Sequence, residues 1–337
     1  MAYAKNTNKK KAVTLVLCGI LSALVLFVAV AASVHAQFAD VSLGVTPQYP
    51  KANEDMSATL TSLSFDLNRV KISWYTNGVL QKSGVGEKNF SFAAPAYGKR
   101  TTVEAAVEAP DGTTLRRNTA VVPQEVNVLW QAHTYTPPFY KGAALLTSRG
   151  SIIVTAFPDL ISQNDTKISP QNVIYEWEQD GVSLGSLSGF GKRSIVLGGK
   201  TTARSQTTVS VTVSSLDGDV RGKETISIRT GEPRILLYEK HPLRGVKIER
   251  ALRNSYNLET QEIILRAEPY FFSLDDIASD ALRIKWSLND SLVSAGEKEL
   301  AVRKSAEKSG TSRVSIDILN TNKILQDARA VLNINFN

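Results

Sequence analysis

The chain has 337 residues, 39 Lys and Arg against 32 Asp and Glu, 42% hydrophobic residues and one cysteine. That apolar fraction with mixed charge excludes a disordered chain, and the lone cysteine excludes a disulfide-stapled scaffold, so each domain must be held by its own core. Residues 1–36 carry four lysines and no acid, so the net +7 falls to +3 beyond them, from 35 basic and 32 acidic groups. The basic pairs there, Lys99-Arg100, Arg116-Arg117 and Lys192-Arg193, are isolated and read as solvated strand ends, which excludes a nucleic-acid interface.

Residues 1–36 form a targeting segment: Lys5 and Lys9 to Lys11, an uncharged run from Ala12 to Ala32, then Val34-His35-Ala36 before Gln37. Small or β-branched residues at these last positions suit a signal peptidase. The apolar run is 21 residues long, more than an ordinary signal core and close to the roughly 20 that span a bilayer. Both a cleaved signal peptide and a retained transmembrane anchor through residues 12–32 remain open. Either way everything after Ala36 is placed outside the cytoplasm, at the cell surface or in a periplasm. Cys18 lies inside the run, preceded by Leu17, which is not the setting of a lipid-modified cysteine.

Beyond the targeting segment one pattern occurs three times: a β-branched strand ending in Trp and entering a tight turn. It reads VKISWYTNG at Trp74, VIYEWEQDG at Trp177 and LRIKWSLND at Trp286, at intervals of 103 and 109 residues. That period matches one immunoglobulin-type sandwich of roughly 100 residues, whose third strand carries a buried Trp. Asn77-Gly78, Asp180-Gly181 and Asn289-Asp290 supply residues that tolerate the positive φ of two-residue hairpin loops. The predicted fold class is therefore all-β, three tandem immunoglobulin-like domains at 38–123, 124–230 and 231–337, with Trp74, Trp177 and Trp286 as equivalent core residues.

In the first domain the predicted strands are VSLGV, MSATLTSLSF, VKISWYT, KNFSF, TTVEAAVEA and TTLRRNTAVV. In the second they are VNVLWQA, GSIIVTAF, VIYEWEQ, RSIVL, TTVSVTVSS and KETISIRT, with Val209, Val211 and Val213 alternating against Ser210, Thr212 and Ser214. Residues 158–172 are predicted to project as a loop. In the third domain they are RILLYEK, QEIILRAEPY, LRIKWSL, KELAV, RVSIDIL and ARAVLNINF, with one helix predicted at Leu274 to Leu282 behind an N-cap at Ser273. Proline is assigned to the first strand of each domain, where an edge tolerates a missing donor. Linkers at 123–126 and 230–233 are short, which predicts a semi-rigid rod on the order of 100 Å long. The closing segment 332–337 alternates like a barrel strand, but the last strand of a sandwich explains it.

The Trp-bearing strand, its Asn/Asp-Gly turn, Tyr175-Glu176-Trp177, and Pro95-Ala-Tyr97-Gly98 leading to Asp111-Gly112 resemble bacterial immunoglobulin-like repeats and the related polycystic-kidney-disease-type modules. Trp177 is followed by Glu-Gln-Asp-Gly rather than that module's Trp-Asp-Phe-Gly-Asp-Gly. The resemblance implies an extracytoplasmic binding or spacer role and carries over no catalytic residue.

Chemistry-bearing motifs have plainer readings. Gly181-Val-Ser183-Leu-Gly185 matches the letters of a nucleophile elbow but follows a hairpin turn. His133 and His241 are the only histidines beyond the targeting segment, each in the first strand of a domain. Gly198-Gly199-Lys200-Thr201 ends like a phosphate loop but leads into a strand, with no helix N-terminus. Asp275, Asp276 and Asp280 are assigned to a solvated face. Glu125 at one junction and Glu232 and Glu239 at the other are too few for calcium. No metal, no cofactor and no catalysis are predicted.

The densest aromatic patch is Trp130, Tyr135, Pro137, Pro138, Phe139 and Tyr140. It reads either as packing at the junction of the first and second domains or as an exposed recognition patch. The functional expectation is a non-catalytic exported surface protein, an adhesin-like or structural rod with protein or glycan partners. The alternatives are an accessory subunit of an envelope or pilus-type assembly and, more weakly, a hydrolase with a loop-borne site.

Overall fold

The computed structural model describes residues 41–198, 206–304, 309–323 and 325–336. The targeting segment, the Gly199-Lys200-Thr201 part of the phosphate-loop look-alike and Asn337 lie outside the described residues. The strands form three immunoglobulin-like β-sandwiches. Packing divides the described residues into two compact units, one holding 41–46, 57–92 and 102–120, the other holding 47–56, 93–101 and those from 121 onward.

The first sandwich has strands β1 (Val41–Thr46), β2 (Asp55–Ser62), β3 (Lys71–Thr76), β4 (Val79–Val85), β5 (Asn89–Ala93), β6 (Thr101–Glu108) and β7 (Thr114–Val121). They pair as β1-β2-β5 and β4-β3-β6-β7. The second has β8 (Glu125–Ala132), β9 (Ser151–Ile161), β10 (Lys167–Ile168), β11 (Ile174–Gln179), β12 (Val182–Ser183), β13 (Gly189–Phe190), β14 (Ser194–Gly198), β15 (Gln206–Ser214) and β16 (Arg221–Arg229). One of its sheets is centred on β9, paired with β8, β10 and β14; the other runs β12-β11-β15-β16, with β13 also on β11.

The third sandwich has β17 (Arg234–His241), β18 (Gly245–Val246), β19 (Asn254–Leu258), β20 (Glu262–Tyr270), helix α1 (Leu274–Ala278), β21 (Leu282–Leu288), β22 (Ser291–Ala295), β23 (Glu299–Arg303), β24 (Gly310–Asn320) and β25 (Asp327–Phe336). Its sheets run β18-β17-β20-β23 and β19-β25-β24-β21-β22. Here the leading strand divides between sheets: β17 pairs antiparallel with β20, whereas β19 pairs parallel with β25.

Strand alternation produces three separate cores. Val209, Val211 and Val213 are buried with Trp177, while Trp74 and Trp286 centre the other two clusters; all three indoles are 0% exposed. Each indole also donates a hydrogen bond, Nε1 of Trp74 to Glu87 O at 2.7 Å, of Trp177 to Lys192 O at 2.9 Å and of Trp286 to Glu297 O at 2.9 Å. Those acceptors occupy a repeated corner, Gly86-Glu87-Lys88, Gly191-Lys192-Arg193 and Gly296-Glu297-Lys298, in which the glycine has φ of 77°, 68° and 85°. The next carbonyl accepts from the opposite sheet: Leu60 N to Lys88 O, Ala156 N to Arg193 O and Ala267 N to Lys298 O, at 2.9, 3.0 and 2.8 Å. One three-residue corner therefore ties the indole of one sheet to the backbone of the other, and glycine is needed where φ is positive.

The hairpin turns repeat as closely. Asn77 and Gly78, Asp180 and Gly181, and Asn289 and Asp290 all have positive φ, as type I′ turns require. The first residue does more: its side-chain oxygen accepts from Thr102 N, Thr208 N and Arg313 N respectively, each at 2.9 Å. Asn or Asp is thus selected both for its backbone and for an acceptor aimed at the neighbouring strand.

Four expectations are corrected. Residues 158–161 continue β9 and 167–168 return against it, because Leu160 must fill the core; only the remainder of 158–172 is loop. The helix stops at Ala278, short of Leu282, since Asp280 has φ of 56° and β21 must begin at Leu282 to align Trp286. Pro47, Pro137 and Pro242 lie past the ends of β1, β8 and β17 and not within them. Prolines inside strands are Pro158 and Pro269, opposite Val126 and Ile235 and beyond the reach of β14 and β23, where the missing N–H can face an unpaired side. Finally β4, β22 and β19 were not anticipated. Their short exposed segments, such as Val79–Val85, carry almost no inward apolar face to read.

Replacing Trp74, Trp177 or Trp286 by Ala should destabilise its sandwich by about 3–5 kcal/mol. Phe at the same site should still cost about 1–3 kcal/mol, because the corner carbonyl loses its donor. Differential scanning calorimetry of the full-length chain resolves this, and a Trp→Phe variant melting like the parent would contradict the corner's role.

Candidate interaction site

The site is built by the chain that follows β8. An eight-residue strand carries the backbone roughly 25 Å from one pole of the sandwich to the other at about 3.3 Å per residue. Residues 133–148 therefore emerge at the pole facing the third sandwich. The aromatic segment does not pack at the junction of the first and second domains, as sequence suggested; it packs on the third sandwich. Trp130 is separate from it, lying on β8 half-buried against its own sandwich core.

Backbone pairing fixes the segment. Tyr135 N donates to Phe272 O and Phe271 N donates to Tyr135 O, both at 2.7 Å, and Thr134 bridges Ser273. Thr147 Oγ1 donates to Phe271 O at 2.9 Å. Phe271, held from both sides, has φ of 65°, a costly conformation for an aromatic residue. It lets successive rings enter different clusters: Phe272 joins the core of the third sandwich, while Phe271 joins Tyr238 and Tyr270 beneath Phe139 and Tyr140. Phe139 meets Tyr238 edge-on at 5.4 Å, and Tyr140 meets Tyr270 and Phe271 edge-on at 5.4 and 5.8 Å. Pro137 is buried and Pro138 exposed.

Beside the aromatic contact lies a buried polar seam. Gln326, 0% exposed, donates to Thr147 Oγ1 at 3.3 Å and Ser148 O at 2.8 Å, and its Oε1 accepts from Ser273 N at 3.2 Å and Asn320 Nδ2 at 2.9 Å. Asp276 accepts from Asn320 Nδ2, Asn322 Nδ2 and Lys323 Nζ at 2.8, 3.0 and 2.6 Å. It is 5% exposed, which corrects its assignment to a solvated face; Asp275 instead meets His133 Nε2 at 3.1 Å. Burial alone would raise the Asp276 pKa, but the hydrogen bonds from Asn320, Lys323, Asn322 and Ser273 outweigh it and hold the carboxyl at about 2. Ser273, the expected N-cap, makes no capping bond; its Oγ accepts from Lys323 Nζ at 2.7 Å. Glu268, also 5% exposed, accepts from Tyr135 Oη at 3.0 Å and Arg266 Nε at 2.9 Å, and burial with the Glu268 charge pushes the Tyr135 phenol up to about 12.

Above the aromatic cluster the surface opens into a depression of about 280 Å³. Phe139, Tyr140, Leu236, Tyr238, Ile248, Ala251 and Tyr270 supply its apolar part, and Lys141, Arg234, Arg253 and Glu249 its charges. Arg234 lies over the rings of Tyr270 and Phe271 at 5.6 and 5.0 Å. Among the described residues no carboxylate is within ion-pair distance of Lys141, Arg234 or Arg253, whereas Lys240, Lys247 and Arg266 are each paired with a glutamate. Of this site the sequence revealed the aromatic residues; Gln326 and Thr147 belong to no motif, and the cations are scattered over more than a hundred residues.

The other motif residues lie apart from it. Ser183 sits in β12 opposite Glu178, leading to a 3₁₀ turn at Gly185–Leu187. His241 ends β17, its Nδ1 accepting from Leu243 N and Arg244 N at 3.2 Å. No group of three His, Cys, Asp or Glu side chains among the described residues is placed to hold a metal. No helix among them is long and apolar enough to cross a membrane.

A folded carboxyl held at about 2, against 3.8 for a free aspartate side chain, stabilises the fold fully above pH ~4 and loses that contribution as pH falls from ~4 towards ~2. The amount is on the order of 2 kcal/mol. Asp276→Asn should therefore melt earlier than the parent at neutral pH, and the gap should shrink on titration to about pH 2. A gap constant with pH would show that the Asp276 charge is not what stabilises the seam.

No protein-family model matches the chain, and no curated protein matches it. Among solved structures it is similar to the three N-terminal domains of the outer capsid protein Hoc of bacteriophage RB49, at 12% identity and TM-score 0.25, covering 88% of this chain and 98% of that one. It is similar also to the central fibronectin-III array of RIM-binding protein, at 11% identity and TM-score 0.29 over 87% and 95% of the two chains. A third similar structure is Sidekick-1 immunoglobulin domains 1–5, at 11% identity and TM-score 0.25 over 90% and 60%. The chain is a tandem immunoglobulin-like repeat protein, an assignment that its own sheet order and parallel β19-β25 pairing carry.

Proposed function

We propose that this is an exported, non-catalytic binding protein that engages its partner at the joint of its second and third sandwiches. The observation that supports this most strongly is the cationic, aromatic depression on a joint already fixed by Tyr135, Thr147 and Gln326. A surface seated on a rigid base binds without first ordering it. Residues 1–36 would direct export, by a cleaved signal or a retained anchor, and leave the sandwiches outside the membrane. An adhesin-like role and an accessory role in an envelope assembly both use such a surface; they differ in whether the partner is foreign or made by the same cell.

Protease treatment of intact cells should degrade the sandwiches, and N-terminal sequencing of the surviving mature chain should begin at Gln37 if the signal is cleaved. Digestion in intact cells places them at the cell surface and digestion only once the outer envelope layer is removed places them in a periplasm; protection until the cytoplasmic membrane itself is lysed would refute export. At the joint, Gln326→Leu should destabilise the second and third sandwiches together, by about 1–3 kcal/mol for the polar groups left buried. Calorimetry in which one transition shifts and the other does not would contradict a coupled joint.

A further inference from the structure

We infer that the depression takes an acidic peptide segment of a protein partner, with an apolar side chain seated on the aromatic floor and carboxylates held by Lys141, Arg234 and Arg253. This deepens the reading above and rests on it. About 280 Å³ lies just under the range of small-molecule sites, about 300–1,000 Å³, so the depression suits one side chain better than an entire ligand.

Charge selects the sign of the partner. Neighbouring cations are neutralised, Arg266 by Glu268 and Glu299 and Lys247 by Glu239, whereas among the described residues the three at the rim face only Glu249. The same lining selects peptide over glycan. A neutral saccharide would leave Lys141, Arg234 and Arg253 without a counter-charge, and the lining adds no Ser, Thr, Asn or Gln side chain to pair its hydroxyls. Of the three phenol hydroxyls in the lining, those of Tyr238 and Tyr270 are bonded to each other at 2.7 Å. An apolar side chain flanked by carboxylates uses what the surface offers: ring area that gains by leaving water, and planar guanidinium groups that match carboxylates in two-point contacts.

The test is binding to the purified full-length chain of three probes: a peptide with central Phe flanked by glutamates on both sides, the same peptide with central Ala, and an oligogalacturonate. The Phe peptide should bind saturably, more weakly at high salt, and tighter than the Ala peptide. Lys141→Ala and Arg253→Ala, both at exposed positions, should each weaken it about tenfold. Glu249→Gln should strengthen it, a gain that misfolding cannot imitate. Lys285→Ala, an exposed lysine on β21, should leave it unchanged; an equal loss there would reduce the effect to bulk charge and overturn the proposal. Preferential binding of the oligogalacturonate, weakened by Lys141→Ala and Arg253→Ala, would overturn the peptide class while sustaining the joint as the binding site. Saturable binding of neither acidic probe would overturn both.

Discussion

The structure depends on one recurrent bond, a buried indole N–H donating to the carbonyl of a glycine-led corner. A sandwich has to fix two sheets at a set separation, and apolar packing alone is non-directional. The corner supplies direction. Its glycine reverses the chain at positive φ, the next carbonyl receives the indole from one sheet, and the following carbonyl receives a strand amide from the other. Trp is the residue that can do this, since it fills the core and still brings a donor to its edge. Three corners with this geometry, and three Asn or Asp side chains pinning the hairpin to the next strand, make the domains equivalent despite little shared sequence.

The joint of the second and third sandwiches follows different rules. It mixes aromatic edge contacts with a polar seam in which nearly every donor meets an acceptor, and it holds Phe271 in a conformation that the two sandwiches must stabilise together. Buried polar networks are costly when half satisfied. Gln326 meets that demand by bonding to both sandwiches, so separating them would strand its amide and the groups it serves. The joint thereby gives the depression above it a fixed shape, and the charges that salt bridges do not neutralise are left at its rim.

The architecture was legible because its determinants are local and repeated: a Trp at constant register, a turn that needs positive φ, and alternating strands between them. The glycine corners were also present in the sequence, as Gly followed by Glu or Lys and then a base, ten to fourteen residues after each Trp. They were missed because the acceptor is a backbone carbonyl, which leaves no side-chain signature. The aromatic segment was recognised and assigned to the wrong neighbour. Its position near the first junction in sequence misled, since a strand that crosses the whole sandwich places its end at the opposite pole. Asp276 was misassigned for a related reason. Helical spacing put it with Asp275 and Asp280, and only the fold brings Asn320, Asn322 and Lys323 to it from a distant turn. Gln326 and the three rim cations could not be found at all, because their roles arise from long-range juxtaposition.

The chain contains a built-in comparison for its central bond. Trp74, Trp177 and Trp286 donate their indole protons inside separate cores, whereas Trp130 is half-buried on β8 with no acceptor for its indole among the described residues. Hydrogen exchange at the four indole N–H groups, followed by NMR on the full-length chain, reads the bond directly. The account predicts three strongly protected indoles and one, Trp130, exchanging rapidly. Rapid exchange at any of Trp74, Trp177 or Trp286 under native conditions would contradict it.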